Sequence, residues 1–129
     1  MDNELFELCK EVYLRNHWWY PMTESHEYYT NFSPRDKHDR TWRVKRYFGP
    51  KDKTGEQMFP IYTTDYILSK LPYEIDRNLL TMSATEYSWD FRYGMASIAR
   101  RTGLGGRSDT PLKALLKLVL ALDDAGIKL

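Results

Sequence analysis

The stretch RTGLGGRSDTPLKALLKLVL, Arg101–Leu120, decides how this chain folds. It sets a glycine-rich segment with two arginines directly before the strongest helix signal in the sequence. From Thr110 to Ala125, Leu112, Leu115, Leu116, Val119 and Leu122 recur at helical spacing, with Pro111 in the first turn and Gly126 just past the end. Ala114, Leu118, Leu120 and Ala121 carry the apolar surface nearly all the way round. Such a helix must be covered on more than one side, by a sheet and by a further helix or a second subunit, so a homodimer is one expectation.

The glycine-rich part has two readings. It can be a strand-to-helix turn capped by Asp109 or Thr110, or an anion site that uses the free N–H groups of a helix N-terminus. It is not a P-loop, because Gly106 is followed by Arg107, Ser108 and Asp109 rather than by Lys and Ser or Thr. GLGG also lacks the spacing of a dinucleotide fingerprint.

Upstream, NLLTMSATE places Leu80, Met82 and Ala84 on one side of a strand, and SWDFRYG places Trp89, Phe91 and Tyr93 on one side of the next. MASIARR is read as a third strand of an antiparallel meander, with tight links at Tyr87-Ser88 and Gly94. Before the meander, IYTTDYILSKLP predicts a short helix that Thr63 or Thr64 caps and Pro72 ends.

In the first half, Leu5, Leu8, Cys9 and Val12 predict a helix from about Asn3 to Asn16, with Asp2 or Asn3 at its start. Residues 17–40, with Pro21 and Pro34, follow neither period and predict a long ordered loop with at most short extended pieces. TWRVKRYFGPKDKTG alternates Trp42, Val44 and Phe48 against Arg43, Lys45 and Arg46 and stops at Gly49-Pro50, which predicts a strand with one basic face.

The expected architecture is therefore α+β: an antiparallel sheet of three or four strands packed with helices as an α-β-α sandwich. It forms a single domain over 1–129, with residues 1–59 adding a helix and a loop-rich aromatic segment to the core of 60–129. A chain of 129 residues can build one core without staples. Its single cysteine, Cys9, rules out an intrachain disulfide and a cysteine-based zinc site.

YTTD at 62–65, the aromatic strand with Trp89 and Phe91, and the helix start Thr110, Pro111, Ala114, Leu115 together resemble the phage ABA sandwich domain family. These are small phage and prophage proteins, and the likeness runs from about Pro60 to Leu129. The resemblance implies an α-β-α fold and a phage-encoded accessory protein. It carries over no catalytic residue. MASIARRTGLGGR is longer and more basic than that family's usual link into the last helix, which marks it as the place where specific function would lie.

A net charge of +1 argues against gripping nucleic acid by bulk charge, so any basic surface must be local. Residues 35–53 hold eight basic and three acidic residues, interleaved with Trp42, Tyr47 and Phe48, whereas 1–34 hold six acidic and two basic. Basic plus aromatic suits a partner surface or a base-stacking platform, and equally a solvated strand face.

The order helix, meander, glycine-rich turn and helix with Lys113 and Lys117 is also that of a double-stranded RNA-binding domain. Against that reading, the last helix opens Thr-Pro-Leu-Lys rather than with consecutive lysines. His17, His26 and His38 lack metal-ligand spacing, and neither a nucleophile turn nor a carboxylate pair stands out. Trp18-Trp19-Tyr20 reads as a lid over the core. The opening MDNELFELCKEV is acidic and amphipathic, unlike a signal peptide, and the apolar run of the last helix is broken by charge.

The expectation is a non-enzymatic binding protein in the host cytoplasm, off the membrane and without cofactor or metal. A host protein, as a defence or takeover target, is its expected partner. Its candidate partner- or anion-binding residues are Trp42, Arg43, Arg46, Arg100, Arg101, Arg107 and Lys113. The alternatives are a nucleic-acid binder and a sponge for a phosphorylated small molecule.

Overall fold

The computed structural model describes residues 1–19, 26–33, 35–46 and 58–129. The chain divides into two compact units, Met1–Ile61 and Tyr62–Leu129. The expected strand stop at Gly49-Pro50, together with Tyr47, Phe48, Lys51 and Lys53, lies outside the described residues, as do Tyr20, Pro21 and Pro34.

In the first unit, α1 (Asn3–Asn16) starts where Asp2 accepts a hydrogen bond from the Leu5 amide at 3.1 Å and ends at His17 in the left-handed region. Its inner face buries Phe6, Cys9 and Val12. β1 (Glu27–Thr30), within the expected loop, is the middle strand of an antiparallel sheet between β2 (Arg43–Arg46) and β3 (Met58–Pro60). The core of this unit is aromatic: the Phe6 ring lies 5.0 Å from Tyr29, 5.2 Å from Phe59 and 5.4 Å from Trp42. Edge-on and tilted rings bury large apolar area with few conformational degrees of freedom. Trp42 thus packs inward, while Val44, expected beside it on an apolar face, is exposed.

The second unit runs α2 (Thr64–Lys70), β4 (Glu74–Ile75), β5 (Asn78–Ala84), β6 (Trp89–Tyr93), α3 (Ala96–Thr102), β7 (Gly105–Ser108) and α4 (Pro111–Asp124). Thr63 caps α2 by accepting from the Tyr66 amide at 3.2 Å. The four strands form an antiparallel sheet in sequence order. Leu80 faces Tyr93, Met82 faces Phe91 and Ala84 faces Trp89, so the two apolar alternations share one side of the sheet as their spacing requires. α4 packs on that side against β6 and β7 and also meets α2, whereas α3 lies against β6 from the other side. The two antiparallel sheets, of three and four strands, together with the helices make the fold α+β, and the second unit has helices on both faces of its sheet.

Two local expectations are corrected. MASIARR is not a strand but supplies all of α3 except its last residue, and the helix ends at Gly103 with φ 76 in the left-handed conformation that glycine adopts without a Cβ penalty. The third meander strand is instead Gly105–Ser108, taken from the sequence as turn. Glycine there answers a packing demand. A Cβ on Gly106 would overlap the Ala114 carbonyl oxygen and the Leu118 amide nitrogen, so β7 lies directly on the backbone of α4.

Leu115, Leu116, Leu118 and Leu122 have 0% exposure within the single chain. Most of the apolar helix surface that suggested a second subunit is therefore already buried, with Leu112, Leu120 and Ala121 half-buried. Among the described residues no helix is long and apolar enough to cross a membrane.

Candidate functional site

On β6, alternation sends Phe91 and Tyr93 toward α4 and sends Asp90 and Arg92 to the opposite side of the sheet. A central strand has neighbours on both edges, so a charged residue there must find partners on its own face. Arg92 donates through one terminal nitrogen to the Asp90 carboxylate at 2.9 Å and to the Ser83 hydroxyl at 3.0 Å. Its Nε is buried without a hydrogen-bond partner.

α3 crosses the same face on small residues. Ala96 and Ala99 let it approach, and Gly105 beneath it contributes no side chain. Between α3 and strands β6 and β7 lies a cleft of about 430 Å³ whose charged lining among the described residues is Arg92, Arg100, Arg107 and the carboxylate of Asp90. A further cleft of about 410 Å³ reaches Arg92 from the other flank of α3. Three guanidiniums against one carboxylate make the first cleft electropositive. Arg107 is additionally steadied by two donations to the Ser88 hydroxyl, at 3.2 and 3.1 Å.

Of the residues singled out from sequence, Arg100 and Arg107 meet at this cleft. Arg101 is exposed on α3 but does not line it. Lys113 is buried, and its ammonium lies 3.4 Å from the Asp109 carboxylate. Lys117 donates to the Arg107 carbonyl at 3.2 Å. The Ser108 hydroxyl and the Lys113 ammonium hold the Asp109 carboxyl below its ordinary range. Thr110 accepts from the Lys113 amide at 3.3 Å, so α4 is capped by its own chain.

The other three candidates belong to the first unit. Trp42 stacks into the aromatic core, 5.0 Å from Phe59. Arg43 pairs with Asp39 at 2.9 Å, and Arg46 is exposed on β2. The amide and hydroxyl of Thr41, followed by Arg43, pull the Asp39 carboxyl down.

Sequence reasoning passed over Arg92. Its signal was present in SWDFRYG, where aromatic residues at alternate positions leave Asp90 and Arg92 as a charged pair on the opposite face. Among the described residues no three His, Cys, Asp or Glu side chains gather as a metal site would need.

Comparison of the chain with protein-family models, with characterised proteins and with solved structures found no match.

Proposed function

We propose that this chain is a non-enzymatic binding protein that engages an acidic surface of a partner protein through the α3 side of its four-stranded sheet. The supporting observation is the cleft in which Arg92, Arg100 and Arg107 outnumber the carboxylate of Asp90. Arginine suits this role because its planar fork pairs with carboxylates bidentately and is weakly hydrated. We take the resemblance of the YTTD, Trp89–Phe91 and Thr110-Pro111 motifs to the phage ABA sandwich family as the ground for proposing a phage or prophage origin. It also supports a host protein, such as a defence or takeover target, as the partner met in the host cytoplasm.

The test is retention of partners from nuclease-treated host lysate by immobilised protein, beside the double variant R100E/R107E. Both positions are exposed, so the variant should keep the parent circular dichroism spectrum. The proposal expects an acidic protein to be retained after nuclease treatment and lost on charge reversal. Retention that disappears with nuclease, or that charge reversal leaves unchanged, refutes it.

The size of the cleft, about 430 Å³, favours a second reading, because small-molecule sites run from about 300 to 1,000 Å³. A phosphorylated small molecule held by the same arginines would raise the melting temperature of the wild type and leave that of R100E/R107E unmoved.

A further inference from the structure

Among the described residues, the edge of the four-stranded sheet on the β4 side is open beyond Leu80. β4 pairs with β5 only through Glu74–Leu79 and Ile75–Asn78, and the last contact of that kind is the Leu80 amide donating to the Tyr73 carbonyl at 3.0 Å. Beyond Leu80, the one strand that pairs with β5 among the described residues is β6.

Backbone direction follows from two bonds at the strand's ends. The Leu79 carbonyl accepts from Gly94, and the Thr85 amide donates to Ser88, so odd-numbered residues turn their backbone groups toward β6. Met82 and Ala84 consequently turn theirs outward.

Natural sheets blunt such an edge with lysine, proline or a bulge. Here Asn78–Thr85 contains no charged residue and no proline. Met82 is 53% exposed, and the flanking Tyr73 and Tyr87 are 78% and 81% exposed.

We propose that two copies of the chain pair antiparallel through these β5 edges about a twofold axis at Ser83. In that register Met82 of one protomer faces the partner's Ala84, and Ala84 faces the partner's Met82. All four outward N–H and C=O pairs are then used. A register one residue away would present groups already committed to β6. The neutral strand meets itself without like-charge repulsion, which a foreign strand would have to match by its own sequence.

Met82 and Ala84 lie on the side of the sheet that carries Phe91, so pairing joins the two apolar sides into one. In this register the paired stretch ends at the partner's Ala84, short of Leu80, whose outward amide already donates to Tyr73, and the exposed Tyr73 and Tyr87 flank that junction. Arg100 and Arg107 are not part of this edge, although Arg92 of the cleft donates to the Ser83 hydroxyl, so R100E/R107E is expected to leave the backbone pairing intact.

Sedimentation equilibrium from low micromolar to millimolar concentration tests the pairing. The wild type is expected to associate reversibly to a dimer. A84P removes only an outward donor, and M82K places a charge at the contact, so both are expected to remain monomeric with the parent far-UV spectrum.

Cross-linking tests the register. Ser83 opposite its own copy is a non-hydrogen-bonded pair with Cα atoms about 4.5 Å apart, within disulfide reach, whereas Thr81 and its copy stand about 14 Å apart. S83C is therefore expected to oxidise to a covalent dimer and T81C is not. A wild type that stays monomeric throughout leaves the edge to a foreign strand and overturns the self-pairing. A dimer that survives M82K does so as well, as does T81C cross-linking as readily as S83C. M82K, on an exposed side chain, keeps the test decisive should A84P fail to fold.

Discussion

Two adjacent glycines of β7 should respond oppositely to one added methyl group. At Gly105 a Cβ would stand 3.5 Å from the Arg92 Cβ and 3.7 Å from the Ala99 Cβ, which is ordinary contact. G105A is expected within about 0.5 kcal/mol of the wild type, because better packing and a less flexible unfolded chain offset any crowding of the cleft. At Gly106 the same group would overlap the Ala114 oxygen and the Leu118 nitrogen, with the Lys117 carbonyl carbon at 3.0 Å.

These are backbone atoms of a helix whose neighbouring leucines are fully buried, so no rotamer change relieves the overlap. Restoring normal contact requires β7 and α4 to separate by about 1 Å, which weakens the dispersion contacts along their interface. Overpacking typically costs about 1–3 kcal/mol, and a clash between two backbones belongs at the upper end, so G106A should lose about 3 kcal/mol. The melting temperature should fall by about 10 °C or more. Urea unfolding followed by far-UV circular dichroism compares the two variants on the same footing. If G106A unfolds at the same urea concentration as G105A, the close approach of β7 to α4 is refuted.

Two further outcomes follow from the second unit. The Tyr93 hydroxyl donates to the Pro72 carbonyl at 2.7 Å, and burial pushes its pKa from 10.0 up to about 12. The stability that this phenol contributes is complete below pH 10 and falls as the pH rises toward 12, since the unfolded chain ionises first. Y93F should cost about 1 kcal/mol at neutral pH and flatten that alkaline decline, measured by urea unfolding across the range. Burial raises the Tyr29 phenol in the same direction, so part of the decline should persist. T110A removes the cap that accepts from the Lys113 amide and should cost about 1 kcal/mol, whereas T110S should retain most of the stability in the same assay.

Elements whose cause is local were legible in the sequence. α1 runs from Asn3 to Asn16 as its apolar spacing and the Asp2 cap require, and α2 and α4 begin after Thr63 and Thr110. The β5–β6 pair was legible because two alternating apolar sets can share a face in only one phase. α3 was not, since MASIARR is too short for its period to decide, and its helical state depends on the turn at Gly94 and the left-handed cap at Gly103. In the candidate site, Arg100 and Arg107 could be named from their basic stretch. Their meeting with Arg92 required knowing that α3 folds back across β6.

By itself, then, the sequence determined the α+β class, the capped helices and the apolar side of the second sheet, because each depends on residues within a few positions of one another. Tertiary structure decided the rest. It made a strand of Gly105–Ser108, whose two glycines leave no alternation to read, because at Gly106 only glycine fits against the backbone of α4. It turned Trp42 into core and brought Arg92, Arg100 and Arg107, from three successive elements, to one cleft. A charge acquires its role from what stands across from it, and across this cleft that neighbour is placed by how α3 packs back on the sheet and not by sequence spacing.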